Sequence, residues 1–360
     1  MKAKLVIASA QLLAATLGAT AQNSLPPDQF AVLTHEHVDA LCVLYAPAGS
    51  NLLSLVAWHR DAELDLPTNQ VIFVVNTQAM IALPSGTPFG DGGQPFWILP
   101  QSQTPNLLYL GAANTERVPD GVFSGPRPLT ISLKRLEGPG YLMAWQATGP
   151  GQYNIRINTR DGVDTNDSFN PLVPAHEHFN WGFSSPGVYS ATFQVTGQRL
   201  GESTNIFSPE STFVFHVLPL PPPTNYQTWA RSYWPPGFNP PTTLTNGNAD
   251  GDLFDNLLEY AFHLSPTNVN GITNAPLFSW VSTNGERYGA FTFTRYKPGL
   301  DLSYEPVVKS QLTAETWETL TSIVSVLDNG LTETVTVRDF LPAAVAPVRF
   351  YQLRTKLLSP

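Results

Sequence analysis

The sequence predicts a mainly β protein: two antiparallel β-sandwich domains joined by a Pro-rich linker and a short calcium-loop helix. Three observations predict it. Thirty-three prolines and 26 glycines break the chain into short pieces, which favours turns over long helices. Many of those pieces alternate apolar and polar residues with period two, as half-buried strands do. A proline cluster, Pro219-Leu220-Pro221-Pro222-Pro223, then divides the chain into unequal parts.

The first segment reads as an export signal rather than as structure. Lys2 and Lys4 precede an apolar stretch from Leu5 to Leu17, and Ala19-Thr20-Ala21 follows. A basic head, a short apolar middle and a small-residue exit define a cleavable leader. The stretch contains Ser9, Gln11 and Thr16 and is too short to span a bilayer comfortably. Cleavage is expected after Ala21, giving a secreted, periplasmic or cell-surface protein with no membrane span after cleavage. No C-terminal anchor is visible in Lys356-Leu357-Leu358-Ser359-Pro360.

Composition narrows the function. A formal charge of −9 excludes nucleic acid, which calls for a basic face. Cys42 is the single cysteine, so an internal disulfide is excluded. It lies in the apolar run Ala40–Leu44 and reads as a small buried hydrophobe.

The expected organisation is residues 1–21 signal peptide, 22–218 first β-sandwich, 219–244 linker, 245–274 calcium loop and helix, and 275–360 second β-sandwich. In the first sandwich, strands are expected at 38–45, 52–58, 70–76, 129–133, 141–145, 153–158, 187–196 and 211–218, bounded by Gly, Pro, Asn and Asp. Tyr189, Ala191, Phe193 and Val195 should share one face. Within the linker, residues 226–233 should form a short helix with Trp229 and Tyr233 on one side. A second helix is expected over 253–263. Strands should follow at 277–281, 288–295, 303–309, 333–338 and 348–354.

Two pentapeptides carry the strongest chemical signal. His35-Glu36-His37-Val38-Asp39 is mirrored by His176-Glu177-His178-Phe179-Asn180. Strand residues two apart point the same way. His35, His37 and Asp39 should therefore project together, as should His176, His178 and Asn180. If the two strands meet, imidazoles and a carboxylate converge on a set that suits zinc, copper or manganese. The plainer reading is partly exposed strand histidines with no ligand. The spacing is not that of a helical His-Glu-x-x-His site.

A second constellation is Asn248-Ala249-Asp250-Gly251-Asp252-Leu253-Phe254-Asp255-Asn256-Leu257-Leu258-Glu259. Asn248, Asp250, Asp252, Asn256 and Glu259 fall at positions 1, 3, 5, 9 and 12, with the Phe254 carbonyl at 7. That is the spacing of a calcium loop. Asn248 is neutral where a carboxylate is usual, and Leu253 stands where the turn prefers glycine. The alternative is an Asn/Asp/Gly turn that caps the following helix.

The first sandwich also resembles the choice-of-anchor M domain, including the actinobacterial surface-anchored repeat. The pieces that carry the resemblance are His37-Val38-Asp39, Phe96-Trp97-Ile98-Leu99-Pro100-Gln101, Leu110-Gly111, Leu136-Glu137-Gly138-Pro139-Gly140, and His176 to Phe183 with Pro186-Gly187-Val188-Tyr189. The resemblance implies a β-sandwich surface module, some relatives of which accompany metal-type transport systems. It supports a metal role for His37, His176 and His178. Residues 226–267 are similar to a C-terminal module of secreted Verrucomicrobia proteins.

The leading reading is thus an exported non-catalytic protein that captures a transition metal or mediates adhesion, with calcium in its second part. Its partner would be a cell surface, a glycan or a metal-transport component. One rival is a metal-dependent hydrolase or oxidase with Glu177 or Glu36 as base. The other is a carbohydrate- or cell-wall-binding module built on exposed aromatics.

Overall fold

The computed structural model describes residues 4–7, 24–125 and 127–358. It is mainly β, with two short α-helices among the described residues. The chain divides into two compact units, Lys4–Pro221 with Trp234–Phe238, and Pro222–Tyr233 with Asn239–Pro360. The expected linker is therefore shared between the two units. Among the described residues, no helix is long and apolar enough to cross a membrane. Of the expected leader only Lys4–Ile7 is described, as a strand parallel to Gln29–Leu33. The cleavage position after Ala21 lies outside the described residues.

The first unit contains three sheets around a main apolar core, with a smaller buried cluster of Leu83, Phe89, Phe96, Met143 and Trp145. The largest follows the order Lys4–Ile7, Gln29–Leu33, Val71–Val75, Ser211–Val217, Gly187–Gln198, Leu129–Glu137, Ser168–Phe169, with Asn205–Phe207 on Gly187–Gln198. In Gly187–Gln198 the alternation works as expected: Tyr189, Ala191, Phe193 and Val195 are fully buried. The second sheet orders Gln152–Asn158, Leu142–Gly149, Asn180–Phe183, Pro95–Leu99 and Met80–Ala82. Trp181 packs with Phe193 and Phe215, joining the inner faces of two sheets. The third sheet, His176–His178, Tyr109–Asn114, His37–Tyr45, Leu53–His59 and Leu64–Leu66, carries the paired histidine motifs.

Most pairings are antiparallel, but not all. Val71–Val75 runs parallel to both Gln29–Leu33 and Ser211–Val217, and His37–Tyr45 runs parallel to Tyr109–Asn114. Parallel neighbours need a long crossover rather than a hairpin. The segments 34–70 and 46–108 supply such crossovers.

In the second unit, a four-stranded sheet orders Leu277–Thr283, Glu286–Tyr296, Thr332–Pro342 and Ser322–Asp328. A three-stranded one orders Glu318–Thr319, Leu302–Lys309 and Phe350–Leu357. Phe291, Phe293, Val308, Leu320, Val335 and Val337 form the core between them. Two helices cap this sandwich. Tyr226–Arg231 starts at Asn225, whose side chain accepts from the Thr228 N–H. Asn256–Phe262 starts at Asp255, which accepts from the Leu258 N–H, and stops where His263 turns left-handed. The Tyr304 hydroxyl donates to the Ala261 carbonyl, fixing this second helix to the strands.

Candidate metal centre

The two histidine motifs do not pair directly. The strand Tyr109–Asn114 runs between them, antiparallel to His176–His178 and parallel to His37–Tyr45. Gly111 is in register with His178 on one side and with Asp39 on the other. A Cβ at position 111 would overlap Asp39 Oδ1 and stand 3.0 Å from its Cγ. Glycine inside a strand marks such a close approach. Here it makes room for side chains from both flanking strands to meet over the middle one.

Four ligand atoms converge there. His37 Nε2 lies 3.2 Å from His178 Nε2, which lies 2.8 Å from His176 Nε2. Asp39 Oδ1 stands 2.7 Å from His176 Nε2, 3.7 Å from His37 Nε2 and 4.0 Å from His178 Nε2. A tetrahedral ion with bonds of about 2.0–2.1 Å sets its ligands about 3.3–3.4 Å apart. The observed separations straddle that length.

Protons cannot satisfy this arrangement. A neutral imidazole nitrogen either carries a hydrogen or offers a lone pair. If His176 Nε2–H points at Asp39, it has no lone pair for His178. If it points at His178, the Asp39 oxygen 2.7 Å away is left with no hydrogen to accept. A cation at the centre satisfies all four atoms at once. His37, Asp39, His176 and His178 thus form a group that could hold a metal ion.

The surroundings keep His37, Asp39 and His178 in their ligating states. Burial, and then the neighbouring His176, push His178 down to about 4 despite the opposing pull of Asp39. Burial likewise lowers His37. Burial pushes the Asp39 carboxyl up, but hydrogen bonds from His176 and Asn114 outweigh it and hold the carboxyl below its ordinary value. Metal ligation requires neutral imidazole and ionised carboxylate, and both follow from these directions.

A supporting layer fixes the orientations. Asn114 Nδ2 donates to Asp39 Oδ2 at 2.8 Å, and Arg60 Nη1 lies 3.6 Å from the same oxygen. Arg60 also donates to Glu116 at 2.6 Å. Tyr109 stacks on His178 with ring centres 3.9 Å apart and planes within 6°. The Leu110 backbone favours the charged form of His178 but makes no well-formed hydrogen bond with its buried Nδ1.

His35 stands outside the group. The strand begins at His37, and residues 34–36 form a bend. Glu36 Oε2 accepts from the Thr34 and His35 N–H groups, which ends the period-two pattern one residue too early. His35 is 58% exposed, with its Nδ1 at 2.8 Å from the Thr34 hydroxyl. Glu177 Oε1 accepts from the Leu172 N–H and lies 3.5 Å from Arg127. Both candidate bases are thus tied to other partners. Cys42 is fully buried, and burial pushes its thiol up to about 12.

The acidic segment holds its turn through its own side chains. Asn248 Oδ1 accepts from the Gly251 and Asp252 N–H groups, so its side chain shapes the turn. Asn256 Nδ2 donates to the carbonyls of Thr242 and Leu244. Phe254 is buried edge-on against Phe262. Asp250, Asp252 and Glu259 do come together, each offering an oxygen within 4.8 Å of the others. Glu259 is fully buried, and burial with the charges of Asp250, Asp252 and Asp255 pushes it up to about 8.

Gly111, Asn114 and Tyr109 are the site residues that strand and motif reasoning passed over. A glycine inside the apolar run Leu107–Ala113 was the available signal. Compared with protein-family models and with curated proteins, the chain matches none of them.

Proposed function

We propose that this is an exported, non-catalytic protein that captures a transition metal, zinc in the first place, at His37, Asp39, His176 and His178. The observation that carries this reading is the convergence of three imidazole nitrogens and one carboxylate oxygen, with separations of 2.7 to 4.0 Å that bracket the tetrahedral length. Zinc accepts that geometry without penalty, whereas copper(II) prefers tetragonal sites and manganese prefers six oxygens. Four protein ligands fill a tetrahedral shell. Catalytic zinc keeps one position for water or substrate, so the full set favours capture over hydrolysis or oxidation. The side chains of His37 and His176 remain 21% and 19% exposed, which leaves the ion a route in and out. The basic head and apolar stretch of the first residues support export. Kinship with choice-of-anchor surface modules and hand-over to a metal-transport partner belong to the same proposal.

Cobalt(II) substitution tests it. The account expects the intense visible bands of tetrahedral cobalt, unchanged when azide is added. A band shift with azide would reveal an open coordination position and favour the enzyme reading. Octahedral-type weak bands would remove the proposed centre.

A further inference from the structure

We propose that Asp250, Asp252 and Glu259 form a second cation site, specific for calcium, which clamps the helix Asn256–Phe262 onto the C-terminal sandwich. The observation is a fully buried carboxylate aimed at two others. Glu259 has no exposed surface, and its Oε2 has no hydrogen-bond partner among the described residues. Its nearest donor, Asn270 Nδ2, reaches only Oε1, at 3.5 Å. A buried carboxylate is normally paired or hydrogen-bonded, because leaving it alone costs a large desolvation penalty. Protonating Glu259 relieves its own charge but still leaves Asp250 and Asp252 beside one another. A cation shared with Asp250 and Asp252 resolves both.

The ligand chemistry selects the ion. The three side chains offer only carboxylate oxygens, which suit hard cations rather than zinc or copper. Calcium takes six to eight oxygens in adaptable geometry, so three carboxylates can be completed by carbonyls and water. Magnesium demands a near-ideal octahedron and keeps most of its water, which a fully buried Glu259 does not favour. The Asn248 side-chain oxygen holds the backbone of the loop, whereas Asn256 donates through Nδ2 and its buried Oδ1, with no hydrogen-bond partner among the described residues, remains a further oxygen for the ion.

The site links three parts of the second unit. Asp250 and Asp252 lie on the turn, and Glu259 lies on the helix. Asp252 Oδ2 also accepts from the Asn270 N–H at 2.6 Å, which holds the segment after the helix. The same helix meets the sandwich through Tyr260, whose hydroxyl donates to Asp301 at 2.8 Å. A bound ion would close the loop on both sides and steady that contact.

The test is thermal unfolding of the full chain carrying His176→Ala and His178→Ala, so that the first site plays no part. After chelation, calcium or magnesium is added at matched concentrations. Calcium at a hundredfold excess over its dissociation constant should raise the midpoint of the second unit by about 5 °C or more. Glu259→Gln should lose that rise while melting no lower than its parent in chelator, since it removes a buried charge. Should Glu259→Gln fail to fold, Asp250→Asn carries the test and should lose the rise. No calcium-dependent rise in the parent, a rise retained in the variants, or an equal response to magnesium would overturn the proposal.

Discussion

Gly111 lies between Asp39 and His178 in the same sheet, and the Asp39 carboxylate occupies the space that a side chain at 111 would fill. The site therefore depends on a residue that contributes no ligand. Gly111→Ala should push Asp39 out of line with the three imidazoles. Overpacking of this kind costs about 1–3 kcal/mol. Urea unfolding should show that loss in the first unit, and zinc titration should show the site weakened as well. Unchanged zinc affinity in Gly111→Ala would mean that Asp39 is not a ligand.

Asn114 is fully buried and donates to the Asp39 oxygen that faces away from the histidines. Residues that orient a ligand in this way are worth about 10–100-fold in metal affinity. Asn114→Ala should weaken zinc by that factor in a competition titration. Arg60→Ala should cost less, because Arg60 lies 3.6 Å from Asp39 and also serves Glu116.

The second unit carries its own electrostatic anchor. Asp339 is fully buried and accepts from Arg349 Nε and Nη2 at 2.8 and 3.0 Å and from the Tyr351 hydroxyl at 2.9 Å. Burial pushes its carboxyl up, but these hydrogen bonds outweigh burial and hold it below its ordinary value. As pH falls, the unfolded chain therefore takes up this proton first. The stabilisation is fully present above about pH 4, the ordinary aspartate value, and is lost as pH drops through the lower folded value. Asp339→Asn should destabilise the unit by about 3 kcal/mol at pH 7. Denaturant curves at pH 7 and pH 2 should show the gap between variant and parent closing in acid.

What the sequence made legible was periodic. The fully buried face of Gly187–Gln198 follows from alternation alone, as does the shared direction of His37 and Asp39. The second helix, expected over 253–263, spans Asn256–Phe262, because Asp255 caps it three residues later than the apolar pattern begins. Misplaced elements had local or long-range causes. His35 fails because the Glu36 side chain ties down the preceding backbone, a contact that period two cannot anticipate. The middle strand Tyr109–Asn114 is rich in small residues and was visible only as a two-residue fragment, Leu110-Gly111. The parallel pairings depend on crossovers, which leave no mark in local pattern. Asn248 matches a ligand position by spacing, yet its side-chain oxygen accepts from backbone N–H groups, whereas the buried Asn256 oxygen has no hydrogen-bond partner among the described residues.

Zinc stoichiometry in the purified chain, without an affinity tag of histidines, tests the central claim most directly. The measurement is elemental mass spectrometry on the parent beside His178→Ala and His35→Ala after zinc loading and desalting. One zinc per chain is expected in the parent and in His35→Ala, and loss of it in His178→Ala. A parent that holds no zinc, or a His178→Ala variant that keeps it, would contradict the account.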